Sequence, residues 1–377
     1  MNSPDNRPSH PGEYIRRLLT DNKMSQGDLA YILGTSPTNL NTILAQKRSV
    51  SPEMSKLLGI ALDKPENYFA DLQVKYDLHF ANAPDPSVTV RAELLKQYSI
   101  REMIRRGWIV DGTPDIIKLQ LSGLLETDDL ADITAVAHAA KKTGYDNSAV
   151  LPDQIVWLYR VRQIAKEMPC KRYSQSALES AIVAFGNLTI TPEGSMHVPK
   201  LLSDAGVRFL MVESLPGAKI DGVCTWLDPS SPVIGISSRF DRIDNFWFVL
   251  RHECEHILRK HGQTQHVIDD LGGDNAASDD RVPPEEQVAN AAAAEFCVPS
   301  DKMNSFIRRK QPMYYERDVL AFSQINGIHP GIVVGQLQFR LNRYDYLRKY
   351  QVKIRQFVLP NSIADGWGQT VPLKGLI

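Results

Sequence analysis

The sequence is poor in the features that would place it at a membrane, in a secretory route or on nucleic acid by bulk charge. No run approaches the roughly 20 consecutive apolar residues of a membrane-spanning helix, and the N-terminus carries no apolar core of a secretory signal. Lys plus Arg (43) and Asp plus Glu (44) nearly cancel, leaving a net charge of −1, so any contact with nucleic acid must come from a local surface. Cysteine is scarce: Cys170, Cys224, Cys254 and Cys297 stand apart with no C-x-x-C pair, which argues against a thiolate zinc site and for reduced thiols. No internal repeat is visible. These absences predict a cytosolic protein with no membrane partner. What is present is ordinary globular composition, 43% hydrophobic and 23% charged over 377 residues, enough for two or three domains.

The most informative stretch is Arg251-His252-Glu253-Cys254-Glu255-His256-Ile257-Leu258, an H-E-x-x-H pattern. On a helix, imidazoles four positions apart share one face and can converge on one divalent ion, while Glu253 stands beside the first of them as a base for hydrolysis. The plainer alternative is a charged surface helix. The flanks oppose it: Asn245-Phe246-Trp247-Phe248-Val249-Leu250 leads in and Ile257-Leu258 leads out, so His and Glu would be buried without a partner unless a metal supplies one. A hydrolytic zinc site takes three protein ligands, which calls for a third downstream. Glu286 is the best candidate, at the head of the alanine-rich, helix-prone run Glu286-Gln287-Val288-Ala289-Asn290-Ala291-Ala292-Ala293-Ala294-Glu295-Phe296. Asn290, one turn on, shares its face and is placed to hydrogen-bond a ligand histidine. Glu285 and Glu295 are rivals. The first points about 100° away around the helix, and the second has Pro299, not a polar residue, one turn on.

The order H-E-x-x-H, then Glu286-x-x-Ala289-Asn290-x-Ala292-Ala293, then Phe296-Cys297-Val298-Pro299 resembles the ImmA/IrrE family of zinc metallopeptidases, with Ala292 where that family usually has Phe. The resemblance continues upstream through 232–247 and downstream through Gly327-Ile328-His329-Pro330-Gly331. It implies His252, His256 and Glu286 as ligands of Zn2+, Glu253 as general base, and an α+β zincin-like body. It also implies a protein substrate of regulatory kind, a repressor or an antitoxin.

A second unit is legible at the N-terminus. His10-Pro11-Gly12-Glu13 precedes a short amphipathic helix that opens with Tyr14-Ile15-Arg16-Arg17-Leu18-Leu19 and ends near Asp21-Asn22-Lys23. Ser25 caps a helix from Gln26 to Leu33 that Gly34 ends, and Thr35-Ser36 caps a third starting at Pro37 and running to about Ala45. Two short helices with a Gly-containing turn predict a helix-turn-helix; the alternative is a small helical protein-interaction domain. The third helix would present Thr38, Asn39, Asn41 and Thr42 to base edges and bury Leu40, Ile43 and Leu44. Lys47 and Arg48 follow in an acid-free turn suited to phosphates, and Gln26 and Ser36 stand at helix N-termini, where phosphate oxygens are welcome. Residues 10 to about 80 resemble HigA-type antitoxins, through His10-Pro11-Gly12-Glu13, Ser25-Gln26-x-x-Leu29-Ala30, Leu33-Gly34 and Ser51-Pro52-Glu53-Met54. That implies operator DNA as partner, a homodimer, and a toxin as a further partner.

Between the two, Ala81-Asn82-Ala83-Pro84-Asp85-Pro86-Ser87 reads as a proline-rich linker, and 88 to about 168 shows apolar residues at helical spacing. The expected organisation is a helix-turn-helix domain over 1–80, a linker and helical connector over 81–172, and a metallopeptidase domain over 173–377. The fold class is thus multidomain: an all-α head, a helical connector and an α+β body. The body should open with a helix from Gln175 to Phe185, followed by strands over 208–213, 222–227 and 233–236. The last of these is either an edge that pairs with extended substrate or an interior strand. Residues 262–280 read as a loop; the acids Asp269, Asp270, Asp274, Asp279 and Asp280 lack calcium-loop spacing and predict a solvated segment. His261 and His266, just past the metal helix, face either a developing oxyanion or solvent, and His329 reads as packed. Two functions fit: a DNA-binding regulator whose zinc endopeptidase hydrolyses a repressor, an antitoxin or the chain itself, or a non-proteolytic repressor or antitoxin whose body serves as sensor or toxin platform.

Overall fold

A computed structural model describes residues 7–128, 130, 150–263 and 283–372, and the backbone of 140–143 and 266–269. The chain divides into two compact units, residues 1–86 and 87–377.

The first unit is all helical: α1 (Pro11–Asp21), α2 (Gln26–Ile32), α3 (Pro37–Leu44), α4 (Pro52–Ala61) and α5 (Tyr68–Phe80). Its helix starts follow from side-chain capping. Ser25 and Asp28 form a reciprocal capping box at α2, and Ser36 and Ser51 accept the amides of Asn39 and Met54, each ahead of a proline at the first helical position. At α1 the cap is an imidazole: His10 Nδ1 accepts from Gly12 N at 3.0 Å. The core gathers Ile15, Leu29, Leu40, Ile43, Leu44, Leu58 and Phe69, all buried. Each contributes about 1.5–3 kcal/mol against staying in water.

The second unit opens with α6 (Pro86–Gln97), α7 (Ile100–Arg105), α8 (Pro114–Leu125), β1 (Ala140–Thr143) and α9 (Pro152–Glu167). It continues with α10 (Gln175–Leu188), α11 (Val198–Asp204), β2 (Arg208–Val212), β3 (Gly222–Trp226), β4 (Pro232–Ile236), α12 (Ile243–Leu258) and β5 (His266–Asp269). It ends with α13 (Pro284–Cys297), α14 (Ser300–Lys310), α15 (Glu316–Asn326), α16 (Pro330–Leu341), α17 (Arg355–Val358) and β6 (Ile363–Asp365). The strands form one mixed sheet in the order β1-β5-β3-β4-β2-β6. β5–β3 and β3–β4 are antiparallel; β1–β5, β4–β2 and β2–β6 are parallel.

Both faces of this sheet are covered. Along β2, Phe209 and Met211 join the core under α12, while Leu210 and Val212 join a second core with α6 to α9; β3 divides the same way at Cys224 and Val223. Strands buried on both faces need helices on both sides. The helices read as a connector supply the second layer: Trp157 Nε1 of α9 donates to Val212 O at 2.9 Å, and Arg162 donates to Trp226 O at 2.9 Å. That stretch also contributes a strand, β1, and the expected loop over 262–280 contributes β5, because the two short segments pair with each other and β5 pairs with β3. β4 is an interior strand between β3 and β2 and offers no edge to substrate. Asp270, Asp274, Asp279 and Asp280 lie outside the described residues. No helix among the described residues is long and apolar enough to cross a membrane.

Candidate metal centre

α12 lies between the sheet and α13, and this is why its polar run is buried: Phe246, Trp247, Val249 and Leu250 are buried ahead of His252 to Ile257, which are buried one after another. The i, i+4 spacing carries His252 and His256 to one face, with their Nε2 atoms 2.9 Å apart. α13 approaches through Ala289 and Ala293, both fully buried, whose small side chains allow close helix contact. Its first turn delivers Glu286, with Oε2 3.2 Å from His252 Nε2 and Oε1 3.3 Å from His256 Nε2. Both imidazoles are 0% exposed and Glu286 is 2% exposed. This is the one His/Cys/Asp/Glu cluster of metal-ligand geometry among the described residues. The rivals are elsewhere: Glu285 is exposed, and Glu295, also exposed, accepts the amide of Ser300 at 2.9 Å.

The donor set fits a divalent cation. Two imidazole rings turn their Nε2 atoms toward each other and toward a carboxylate, and neither Glu286 oxygen has a hydrogen-bond partner among the described residues. Converging lone pairs and a buried negative charge are costly unless a positive ion sits among them. Cys254, their neighbour on α12, is not among the groups that converge, and burial pushes its thiol up to about 12.

Glu253 is 0% exposed and lies over β3. A Cβ on Gly222 would stand 2.2 Å from Glu253 Oε1 and 2.8 Å from a Val249 methyl carbon, so only glycine leaves room for the carboxylate there. Phe248, half-buried one turn before His252, stacks on its ring at 6.4 Å and 28°.

The outer nitrogen of His256 has a partner that sequence reasoning did not choose. Its Nδ1 is 2.9 Å from His261 Nδ1. Asn290, expected to hydrogen-bond a ligand histidine, lies one turn from Glu286 on α13, and its buried Oδ1 has no partner among the described residues. His261 is partly buried, and burial first, then the neighbouring His256, hold its pKa below the usual histidine value. The signal available in sequence was the Lys260-His261-Gly262 turn, whose ends both adopt positive φ.

In the first unit, Gln26, Ser36, Thr38, Asn39, Asn41, Lys47 and Arg48 are all exposed, on α2, α3 and the turn after α3, while Leu40, Ile43 and Leu44 are buried. The Ser36 hydroxyl is engaged as a cap, accepting Asn39 N at 3.2 Å. Thr42 is half-buried and donates to Asn39 O at 2.7 Å.

Residues 204–323, which hold the whole cluster, match the family model of the IrrE N-terminal-like domain. This stretch carries an IrrE N-terminal-like domain. Solved structures similar to the helical N-terminal region include a plasmid-maintenance antidote protein, so described, from Nostoc punctiforme: 30% identical, covering 24% of this chain and 93% of that one, TM-score 0.19. Antitoxin HigA of Pseudomonas aeruginosa, determined with the higBA promoter, is 32% identical over 24% of this chain and 90% of its own, TM-score 0.19. A HigA-family addiction module antidote from Coxiella burnetii is 26% identical over 25% and 97%, TM-score 0.19. No curated protein sequence matches. The IrrE N-terminal-like domain shares one chain with a helical N-terminal region whose solved neighbours are HigA-like antitoxins.

Proposed function

We propose that the ImmA/IrrE body is a zinc-dependent endopeptidase, that the HigA-like head binds operator DNA as a dimer, and that the substrate is a regulatory protein: a repressor, an antitoxin or the chain itself. The observation that carries this is the convergence of His252, His256 and Glu286 to within 3.3 Å in a buried site, with a second carboxylate, Glu253, one residue from the first ligand. His252, His256 and Glu286 would hold the ion. Bound there, a divalent ion supplies positive charge that polarises a peptide carbonyl and acidifies water.

The chain's own residues supply the rest. Glu253 takes a proton from the attacking water and hands it to the departing amine, the work of a general base turned general acid. Gly222 keeps space for that carboxylate above β3, and the buried surroundings strengthen each electrostatic contact. A site that only stabilised structure would have no use for Glu253. In the head, exposed Thr38, Asn39 and Asn41 on α3 suit base edges, and Lys47 and Arg48 suit phosphates.

The test is mass spectrometry of purified protein, stripped by chelator and reloaded with zinc, alone and with the products of neighbouring genes. Wild type should generate defined fragments only when loaded, and Glu253→Gln should retain zinc and operator binding while losing cleavage. Undiminished cleavage by Glu253→Gln would remove the peptidase assignment.

A further inference from the structure

The turn after α12 is held more firmly than a surface loop requires. His261 N donates to His256 O at 2.8 Å, and Trp226 Nε1, from β3, donates to His261 O at 2.8 Å. Gly262 follows at φ +78° with its Cα pressed against β3: a Cβ there would lie 2.8 Å from Cys224 O. Three separate contacts therefore fix the backbone that carries His261, and its ring ends with Nδ1 2.9 Å from His256 Nδ1.

Two Nδ1 atoms at that distance form a hydrogen bond only if one bears hydrogen and the other a lone pair. His256 Nε2 is turned toward His252 and Glu286, where a ligand nitrogen needs its lone pair, so the hydrogen of His256 belongs on Nδ1. His261 must then accept, with its own hydrogen on Nε2.

We infer that His261 is the positioning residue of the metal centre: it accepts the Nδ1 hydrogen of His256, and so holds the ligand ring in the tautomer and orientation that present Nε2 to the ion. This rests on His256 being a ligand, as proposed above. It extends that assignment to a residue outside the H-E-x-x-H pattern and couples the turn leading to β5 to metal affinity. An acceptor on the outer nitrogen also raises the basicity of the ligating one.

Chelator-stripped wild type, His261→Ala, His261→Asn and His256→Ala are titrated with Zn2+ against a chromophoric chelator, with thermal unfolding of each metal-free protein alongside. His261→Ala should bind zinc about 10- to 100-fold more weakly than wild type. His261→Asn, whose amide oxygen stands where Nδ1 stood and can accept the same hydrogen, should recover most of that loss, and metal-free His261→Ala should melt with wild type. Wild-type affinity in His261→Ala, or equal loss in His261→Asn, overturns the inference while leaving the metal site standing. If His261→Ala melts early, His261→Asn decides alone. Wild type that binds zinc no better than His256→Ala fails the metal assignment itself, a result distinct from either.

Discussion

Helices α3 and α12 each carry a run of polar side chains along one face, and the two runs end in opposite places. On α3, Thr38, Asn39 and Asn41 are exposed while Leu40, Ile43 and Leu44 fill the core of the head. On α12, His252, Glu253 and His256 are fully buried between the sheet and α13. A polar face left in water costs nothing and can wait for an outside partner. A buried one must meet its partner inside the fold, and the shortage of hydrogen-bond donors around Glu286 says what kind of partner that is.

The contrast can be broken most forcefully at the buried face. Glu286→Ala should lower zinc affinity by more than the roughly 100-fold that loss of an outer hydrogen-bond partner produces, read by competition titration. The same substitution at exposed Glu285 should leave affinity unchanged. Next comes Gly222→Ala, which forces a methyl group into the Glu253 carboxylate. Overpacking of this kind costs about 1–3 kcal/mol of stability, and cleavage should fall while zinc stoichiometry holds. Calorimetric unfolding and a metal assay on the same sample separate the two effects.

At the exposed face the expected changes are smaller and leave the fold intact. Asn41→Ala should cost about 1–3 kcal/mol of operator binding and relax specificity at one position, whereas Lys47→Ala should weaken all sequences alike and reduce the salt slope by about 1. Binding measured at several salt concentrations on operator and scrambled DNA distinguishes them. Protein stability should not move in either.

The smallest effect sets the two units side by side through a device they share. His10 and His329 each precede Pro-Gly and cap their helix by accepting the glycine amide at 3.0 Å. Burial is the main force holding both imidazoles below 6.5. The unfolded chain therefore takes up protons first as pH falls, so this contribution is complete above 6.5 and is lost as pH drops through the folded-state values. Melting temperature recorded between neutral and mildly acid pH should decline, and His10→Asn with His329→Asn, which keep an acceptor but cannot titrate, should flatten the decline.

Much of this was legible along the chain. Ser25, Ser36 and Ser51 announce the helix starts of the head because a cap is a contact between residues three apart. His252 and His256 announce a shared face for the same local reason. What was not legible depended on segments far apart meeting. β5 exists because 266–269 finds β1 and β3, and β4 is interior because β2 and β3 flank it. The helices of 86–167 cover the sheet's second face because strands apolar at successive positions had to be shielded there too. No periodicity could reveal that a turn anchored by Trp226 would bring His261 onto His256.

Local spacing and composition therefore settled the helices, their caps, the two-histidine pair and the separation of an outward polar face from a mixed apolar one, since each follows from neighbours a turn or less away. Only the tertiary structure brought Glu286 within 3.3 Å of both rings, placed Gly222 beneath Glu253 and turned His261 back onto His256. Those contacts join separate helices, a strand and a turn, and their geometry is fixed by how the elements pack, information that a linear order of residues carries only in sum.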